Sequence, residues 1–364
     1  MPLRPEKLHD FESIINYVRQ DCPFKLNNDA RIVINKRKIY EEPGLYTGVI
    51  YNGDTIIKFS TEDIFSNEME KNRVLNKVFI KLRLHIRLPQ LFSFRKGKIS
   101  GEKINYAKSK RYKETDLTIY PAKYVKSLVK SLRELKSVPV EELDQRLFKT
   151  KTKLDYFHEV NEMLEFASKS LLASDEETIN YFEERKEAAL RLYSQESVYD
   201  AEESLIHGDF TNNNVLIDGA GRIKIIDWEK SCIGIAWEDY AICFYNLIIK
   251  GFKKNQEDQL IDALTEKRYP NKNVAEHMWD QLNSKEKYHT MLFIIYKSLF
   301  LLKHHMEHFK RDQKEESKNK VIRNINIFFT AVEYCRQNPD HENQSKAYPF
   351  QDEVLASFFL NNLP

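Results

Sequence analysis

"LIHGDFTNNNVLIDGAGRIKIIDWE", Leu205 to Glu229, sets short apolar runs around a loop that crowds His207, Asp209 and three consecutive asparagines together. Turns rich in Asp, Asn and Gly are ordinary between strands, because these side chains cap their own backbone. Here that reading leaves too much unexplained. "NVLID" and "RIKIID" have strand composition, and Gly219-Ala220-Gly221 would turn one into the other. Folded back, such a hairpin would bring Asn214 close to Asp227. An amide oxygen beside a carboxylate is a hard-oxygen pair suited to Mg²⁺, which keeps waters and substrate phosphates as its other ligands. Asp209, five residues before Asn214, would stay off the metal at the rim, where it can hold a hydroxyl nucleophile. Phosphoryl transfer needs that division of labour, since its loose transition state calls for positioning and charge neutralisation rather than covalent help.

The rest of the chain is consistent with a globular protein. Its 364 residues suffice for one large domain or two ordinary ones, and a formal charge of +2 gives no electrostatic reason to expect nucleic acid as the partner. Cysteines at 22, 232, 243 and 335 show no CxxC spacing, so reduced thiols and a cytoplasmic location are expected. The polar start "MPLRPEKLHDFESIINYVRQ" has no apolar signal region. "TMLFIIYKSLFLL", Thr290 to Leu302, is too short to span a bilayer and contains Lys297, so it reads as a buried helix.

Periodicity sorts the elements. "LHDFESIINYV" predicts a helix, after which Ile-, Val- and Tyr-rich runs predict strands. "LYTGVIY", "NGD" and "TIIKFS" predict a hairpin turning at Asn52-Gly53. "SNEMEKNRVLNKVFIKL" is helical through Val74, Leu75 and Val78, and "LPQLFSFRKGKISG" returns to strand chemistry. From about Tyr120 helix dominates, with Val125, Leu128, Val129 and Leu132 at helical spacing and Pro270 and Pro339 as interruptions. The expected class is α+β: a small strand-rich part, residues 1–115, before a large mainly helical part, residues 116–364.

Several segments in order carry a family resemblance. "HGDFTNNN" matches H-x-D-x-x-x-x-N, and "IKIIDWE" matches a metal-binding Asp segment. With Gly208 and "GIAWEDYA", the chain resembles the aminoglycoside phosphotransferase and choline kinase superfamily. Protein kinases would carry Arg after the His, then DFG and APE, and none of these is present. The resemblance implies a bilobal protein-kinase-like fold, with a nucleotide-binding lobe over 1–115 and a catalytic and substrate-binding lobe over 116–364. It implies ATP and Mg²⁺ as cofactors. Asp209 would orient or deprotonate the acceptor hydroxyl, Asn214 and Asp227 would hold Mg²⁺, and Lys58 would clamp the α- and β-phosphates. The lysine's partner acid would be Glu68 or Glu70 on the next helix, and the spacing to Val74 and Leu75 favours Glu70. His207 would shape the loop rather than react, Glu229 would touch a second metal or the substrate side, and Asp239 would brace the loop. Two departures stand out: "EEPGLYTG" replaces a G-x-G-x-x-G loop before Lys58, and "TNNN" replaces a His-Pro-Gly type sequence. A Lys- and Tyr-rich segment between 103 and 117 is expected to join the lobes.

The implied activity is transfer of the γ-phosphate of Mg-ATP to a hydroxyl of a small molecule: an amino alcohol such as choline or ethanolamine, an aminoglycoside or a sugar. Residues 95–136 hold thirteen Lys or Arg against four acids, and 155–203 hold fourteen acids against four bases. The acidic stretch would draw a cationic acceptor, or would be the solvated faces of helices. Trp237, Tyr240 and Tyr245 would offer ring faces to a quaternary ammonium, but Trp and Tyr at that helical spacing are more often core. Two alternatives stand beside this reading. A catalytically silent kinase-like scaffold is opposed by the intact Lys58, Asp209, Asn214 and Asp227. A protein kinase is opposed by the absent APE-type segment. Neither oligomeric state nor ATP against GTP is set by the sequence.

Overall fold

The computed structural model describes residues 11–34, 47–61, 63–99, 102–111, 121–171, 176–194, 203–211, 213–217, 223–249, 272–338 and 349–350. In chain order these begin with α1 (Phe11–Asp21), β1 (Arg31–Ile34), β2 (Thr47–Asn52), β3 (Thr55–Ser60), α2 (Asp63–Lys81), β4 (Leu91–Ile99) and β5 (Glu102–Lys110). Next come α3 (Pro121–Lys136), α4 (Lys153–Leu171), α5 (Glu176–Ser194), β6 (Glu203–Ile206), β7 (Val215–Ile217), β8 (Ile223–Ile225) and β9 (Cys232–Ile235). A helix over 237–249, α6, is followed by α7 (Lys272–Gln281), α8 (Ser284–Asp312) and α9 (Glu315–Gln337). The chain divides into two compact units, one of Met1–Thr115, Glu142–Phe148 and Asn213–Lys230, the other of Asp116–Glu141, Lys149–Asn212 and Ser231–Pro364.

The first unit rests on a five-stranded antiparallel sheet in the order β1-β2-β3-β5-β4. Alternate side chains go to one face, where Ile50, Ile57, Phe59, Ile104 and Tyr106 form a core with Ile14 and Val18 of α1. Lys58 lies on the middle strand, opposite Val49 on one side and Ala107 on the other. The expected hairpin forms, but its turn is one residue further on. Asn52 still pairs with Thr55, and the two turn residues are Gly53, at φ +57, and Asp54. Asn52 is held in the strand by its side chain, which accepts from the backbone N–H of Asn27 at 2.7 Å and donates to the carbonyl of Lys25 at 3.1 Å. Gly48 is needed for a different reason: a Cβ there would come within 2.4 Å of the Val33 carbonyl oxygen.

The segment expected to join the lobes is mostly strand. Ile104 and Tyr106 alternate into the core, so Glu102–Lys110 becomes β5, and residues 112–117 lie outside the described residues. β7 and β8 form the second expected hairpin, with Val215 opposite Ile225; the Gly219–Gly221 turn, Pro270, Pro339 and the "EEPGLY" part of the loop before β2 also lie outside the described residues. Backbone hydrogen bonds of Arg87 with Ile223 and Ile225, both 3.1 Å, fasten β8 within this unit.

The second unit is mainly helical. Val125, Leu128, Val129 and Leu132 of α3 are buried as their spacing required. Thr290–Leu302 lies inside α8, where Met291, Leu292, Ile294, Ile295, Leu299 and Leu302 are fully buried. That helix starts at a capping box: Asn283 Oδ1 accepts from Glu286 N and the Glu286 carboxylate accepts from Asn283 N, both at 2.9 Å. No helix among the described residues is long and apolar enough to cross a membrane. β9, four residues that the sequence reading left unassigned, pairs antiparallel with β6 and so anchors the strand that leads into His207.

Candidate active site

Lys58 sits between two carboxylates. Its Nζ donates to Glu68 Oε2 at 2.8 Å and to Asp227 Oδ1 at 2.7 Å. Burial works against the ammonium, but Glu68 and then Asp227 outweigh it and hold the lysine's pKa above its ordinary value. Burial pushes the Glu68 carboxyl up, with Lys58 pulling the other way. The partner acid is therefore Glu68 and not Glu70. Phe65, Met69, Leu75, Val78 and Phe79 define the inward stripe of α2, and Glu68 falls on it, 4% exposed. Glu70 points outward, half exposed, beside Arg73 at 3.4 Å. The signal was present in the helical wheel, but Val74, which guided the choice, is only half-buried. Glu68→Gln is expected to weaken nucleotide binding about tenfold, while Glu70→Gln leaves it within about twofold, measured by titration calorimetry.

Asp227 follows the end of β8 with φ +68, in the left-handed region that a residue with a side chain enters at a cost of roughly 1 kcal/mol. Asp tolerates this better than most residues, and such outliers concentrate at functional positions. The hairpin brings Asn214 alongside, as its backbone carbonyl accepts from Ile226 N at 2.9 Å. Asn214 is nearly buried, whereas the Asp227 side chain is 40% exposed. An amide oxygen and a carboxylate carried at the ends of adjoining strands are hard-oxygen donors of the kind Mg²⁺ takes, with waters and phosphate oxygens completing its shell. Trp228–Lys230 then form a single 3₁₀ turn. Glu229 is half-buried, and its carbonyl accepts from Lys71 Nζ at 2.9 Å. Lys71 gave no sequence signal, because a lysine on a polar helix reads as solvated.

In the second unit, β6 delivers His207, Gly208 and Asp209. The buried Asp239 carboxylate accepts from the backbone N–H of His207 at 2.6 Å and of Gly208 at 2.9 Å. Burial, opposed by these two N–H groups, pushes its pKa up to about 7. Gly208 has φ +76, a conformation that favours glycine, which is a local reason for "HGD". His207 is fully buried, and its Nδ1 accepts from Asp209 N at 3.2 Å, so that nitrogen carries no proton. The ring thus supports the loop's backbone, and Asp209 follows it as a partly exposed carboxylate.

The aromatic trio is core. Trp237, Tyr240 and Tyr245 are at most 2% exposed; Trp237 stacks on His289 with centroids 5.1 Å apart, and Lys136 Nζ lies 4.2 Å from its ring centre. The Tyr245 hydroxyl donates to the side chain of Asn324. These faces are filled from within, so the core reading holds and not the ammonium cage. Much of the acidic stretch is likewise engaged on helix surfaces: Glu165 and Glu183 with Lys186 at 2.8 and 3.3 Å, Glu159 with Lys151 at 2.8 Å, and Glu187 with Arg191 at 3.0 Å.

Residues 116–271 match the sequence pattern of a family described as Phosphotransferase enzyme family. No curated protein matches the chain in sequence. Among solved structures, the GDP complex of aminoglycoside 2'-phosphotransferase-IIIa has a TM-score of 0.56 at 15% identity, covering 89% of this chain and 99% of that one. An amicoumacin kinase in complex with AMP-PNP and Ca²⁺ has a TM-score of 0.54 at 10% identity, covering 94% and 97%. A spectinomycin phosphotransferase with ADP and its antibiotic has a TM-score of 0.51 at 14% identity, covering 88% and 98%. The fold is kinase-like, a five-stranded antiparallel sheet followed by a mainly helical region. The resemblance read from the loop sequence is borne out by the family pattern and by the fold.

Proposed function

We propose that this chain, which carries the phosphotransferase family's pattern over residues 116–271, transfers the γ-phosphate of Mg-ATP to a hydroxyl of a small molecule. The observation that carries the reading is the Glu68–Lys58–Asp227 chain of contacts at 2.8 and 2.7 Å, with Asp227 in a left-handed conformation beside Asn214. Three charged groups concentrated where a strand, a helix and a turn meet are costly unless used. When bound, Mg-nucleotide supplies the phosphoryl group and the cation that neutralises its charge.

The chain's own residues then have separable tasks. Glu68 fixes the Lys58 ammonium, so the lysine meets phosphate oxygens without first losing rotamer freedom. Asp227 and Asn214 offer hard oxygens to the metal. Asp209 accepts a hydrogen bond from the acceptor hydroxyl and would take its proton as the new O–P bond forms and the γ-phosphorus bond to the bridging oxygen breaks, releasing ADP. Asp239 and His207 keep the Asp209 backbone in one conformation, which is positioning rather than chemistry. Glu229 is assigned to the turn's backbone first, and a contact with a second metal is not needed for this scheme.

The relatives' names favour antibiotic acceptors, aminoglycoside, spectinomycin and amicoumacin, and include both guanine and adenine nucleotides. The filled faces of Trp237 and Tyr245 speak against a choline-type acceptor held by those rings. Free thiols at Cys22, Cys232, Cys243 and Cys335 suit a cytoplasmic location. The test is nucleoside diphosphate release from Mg-ATP and Mg-GTP across aminoglycosides, spectinomycin, ethanolamine, choline, homoserine and simple sugars. Acceptor-dependent release names the substrate class. A protein that binds no Mg-nucleotide and releases none with any acceptor refutes the assignment.

A further inference from the structure

The turn that carries Asp227 is tied to α2 by contacts along one stripe of that helix. Glu68 reaches Asp227 through Lys58, Lys71 Nζ donates to the Glu229 carbonyl at 2.9 Å, and the Phe79 ring meets Trp228 edge-on with centroids 5.7 Å apart. Positions 68, 71, 75 and 79 follow helical spacing, and Leu75 between them is fully buried. Lys71 is the exception in kind: it is 7% exposed, on a stripe where an apolar residue would fill the space without burying a charge. Its ammonium lies between that carbonyl and the Phe148 ring, 5.6 Å from the ring centre.

We propose that Lys71 is a positioning residue that holds the Asp227 carboxylate in its metal-binding conformation. The inference rests on the reading of Asp227 as a metal ligand. A single 3₁₀ turn leaves its carbonyls without partners inside the turn. Lys71 satisfies the one at Glu229, two residues beyond a backbone conformation at φ +68 that persists only where the surroundings hold it. Trp228 fixes the same turn from the other side, donating its indole N–H to the Ile225 carbonyl at 3.0 Å. Without the ammonium, the Glu229 carbonyl is left unmet next to buried rings, the turn relaxes, and Asp227 moves with it.

The experiment compares ADP binding to the full-length chain by calorimetry, with excess Mg²⁺ and with EDTA, for the wild type and Lys71→Met, which keeps the stem and removes the charge. The expected result is a loss of about tenfold or more in the Mg²⁺-dependent affinity, with the EDTA affinity within about twofold and the melting temperature nearly unchanged. An unchanged Mg²⁺-dependent affinity overturns the proposal. So does an equal loss with and without Mg²⁺ together with a lowered melting temperature, which is what a purely structural lysine would produce. Should Lys71→Met not fold, Lys71→Leu, which likewise removes the N–H donor, is read by the same two criteria. A wild type with no Mg²⁺-dependent binding refutes the metal reading itself, so the two failures are told apart by the wild-type arm.

Discussion

Asp209→Asn is expected to cut acceptor-dependent phosphoryl transfer by about a thousandfold while Mg-nucleotide affinity stays within about twofold. The replacement is nearly isosteric and removes only the charge and the capacity to take a proton. The backbone contacts that hold the loop are made by other groups. Asp239 accepts from the backbone of His207 and Gly208, and His207 accepts from the backbone N–H of residue 209, which asparagine also has. A turnover number equal to wild type would remove Asp209 from the chemistry. Parallel losses in turnover and nucleotide affinity would instead mean that the loop had moved.

Asp227→Asn should lower Mg²⁺-dependent nucleotide affinity by about a hundredfold or more. Asparagine is the residue most at ease at a positive φ after glycine, so the turn at φ +68 survives and the fold is not the cause. The sign of the metal-free result separates this account from simple damage. Lys58 loses one of two carboxylates within 2.8 Å and keeps Glu68, so its ammonium is freer to meet phosphates. ADP affinity in EDTA should therefore be unchanged or higher, and a fall in both conditions would place the metal elsewhere.

Gly208 and Asn214 show why the loop that starts at His207 could be read from the sequence. A loop whose polar residues fall within eight positions, 207 to 214, writes its pattern locally. The backbone needs of such a loop, glycine at φ +76 above all, are met by the same few residues. The β2–β3 hairpin was legible for a similar reason, although Asn52 stayed in the strand because its side chain bonds to Lys25 and Asn27, some 25 residues away in the chain. Segments 103–110 misled because lysines on the exposed face of a strand look like a linker when the alternating Ile104 and Tyr106 are too few to stand out.

By itself the sequence determined the order of strand-rich and helical parts and the two hairpins, β2–β3 and β7–β8, that place Lys58 and Asp227. Each of these follows from local spacing, from turn chemistry, or from a run of residues that must be contiguous to work. Only the tertiary structure decided that Glu68 rather than Glu70 meets Lys58, that Trp237, Tyr240 and Tyr245 are core, and that Lys71 is buried against the Glu229 carbonyl. Those outcomes depend on which face of a helix turns inward and on what lies opposite it. A buried charge is stable only where a distant part of the chain supplies its partner, and no local pattern records where that partner is.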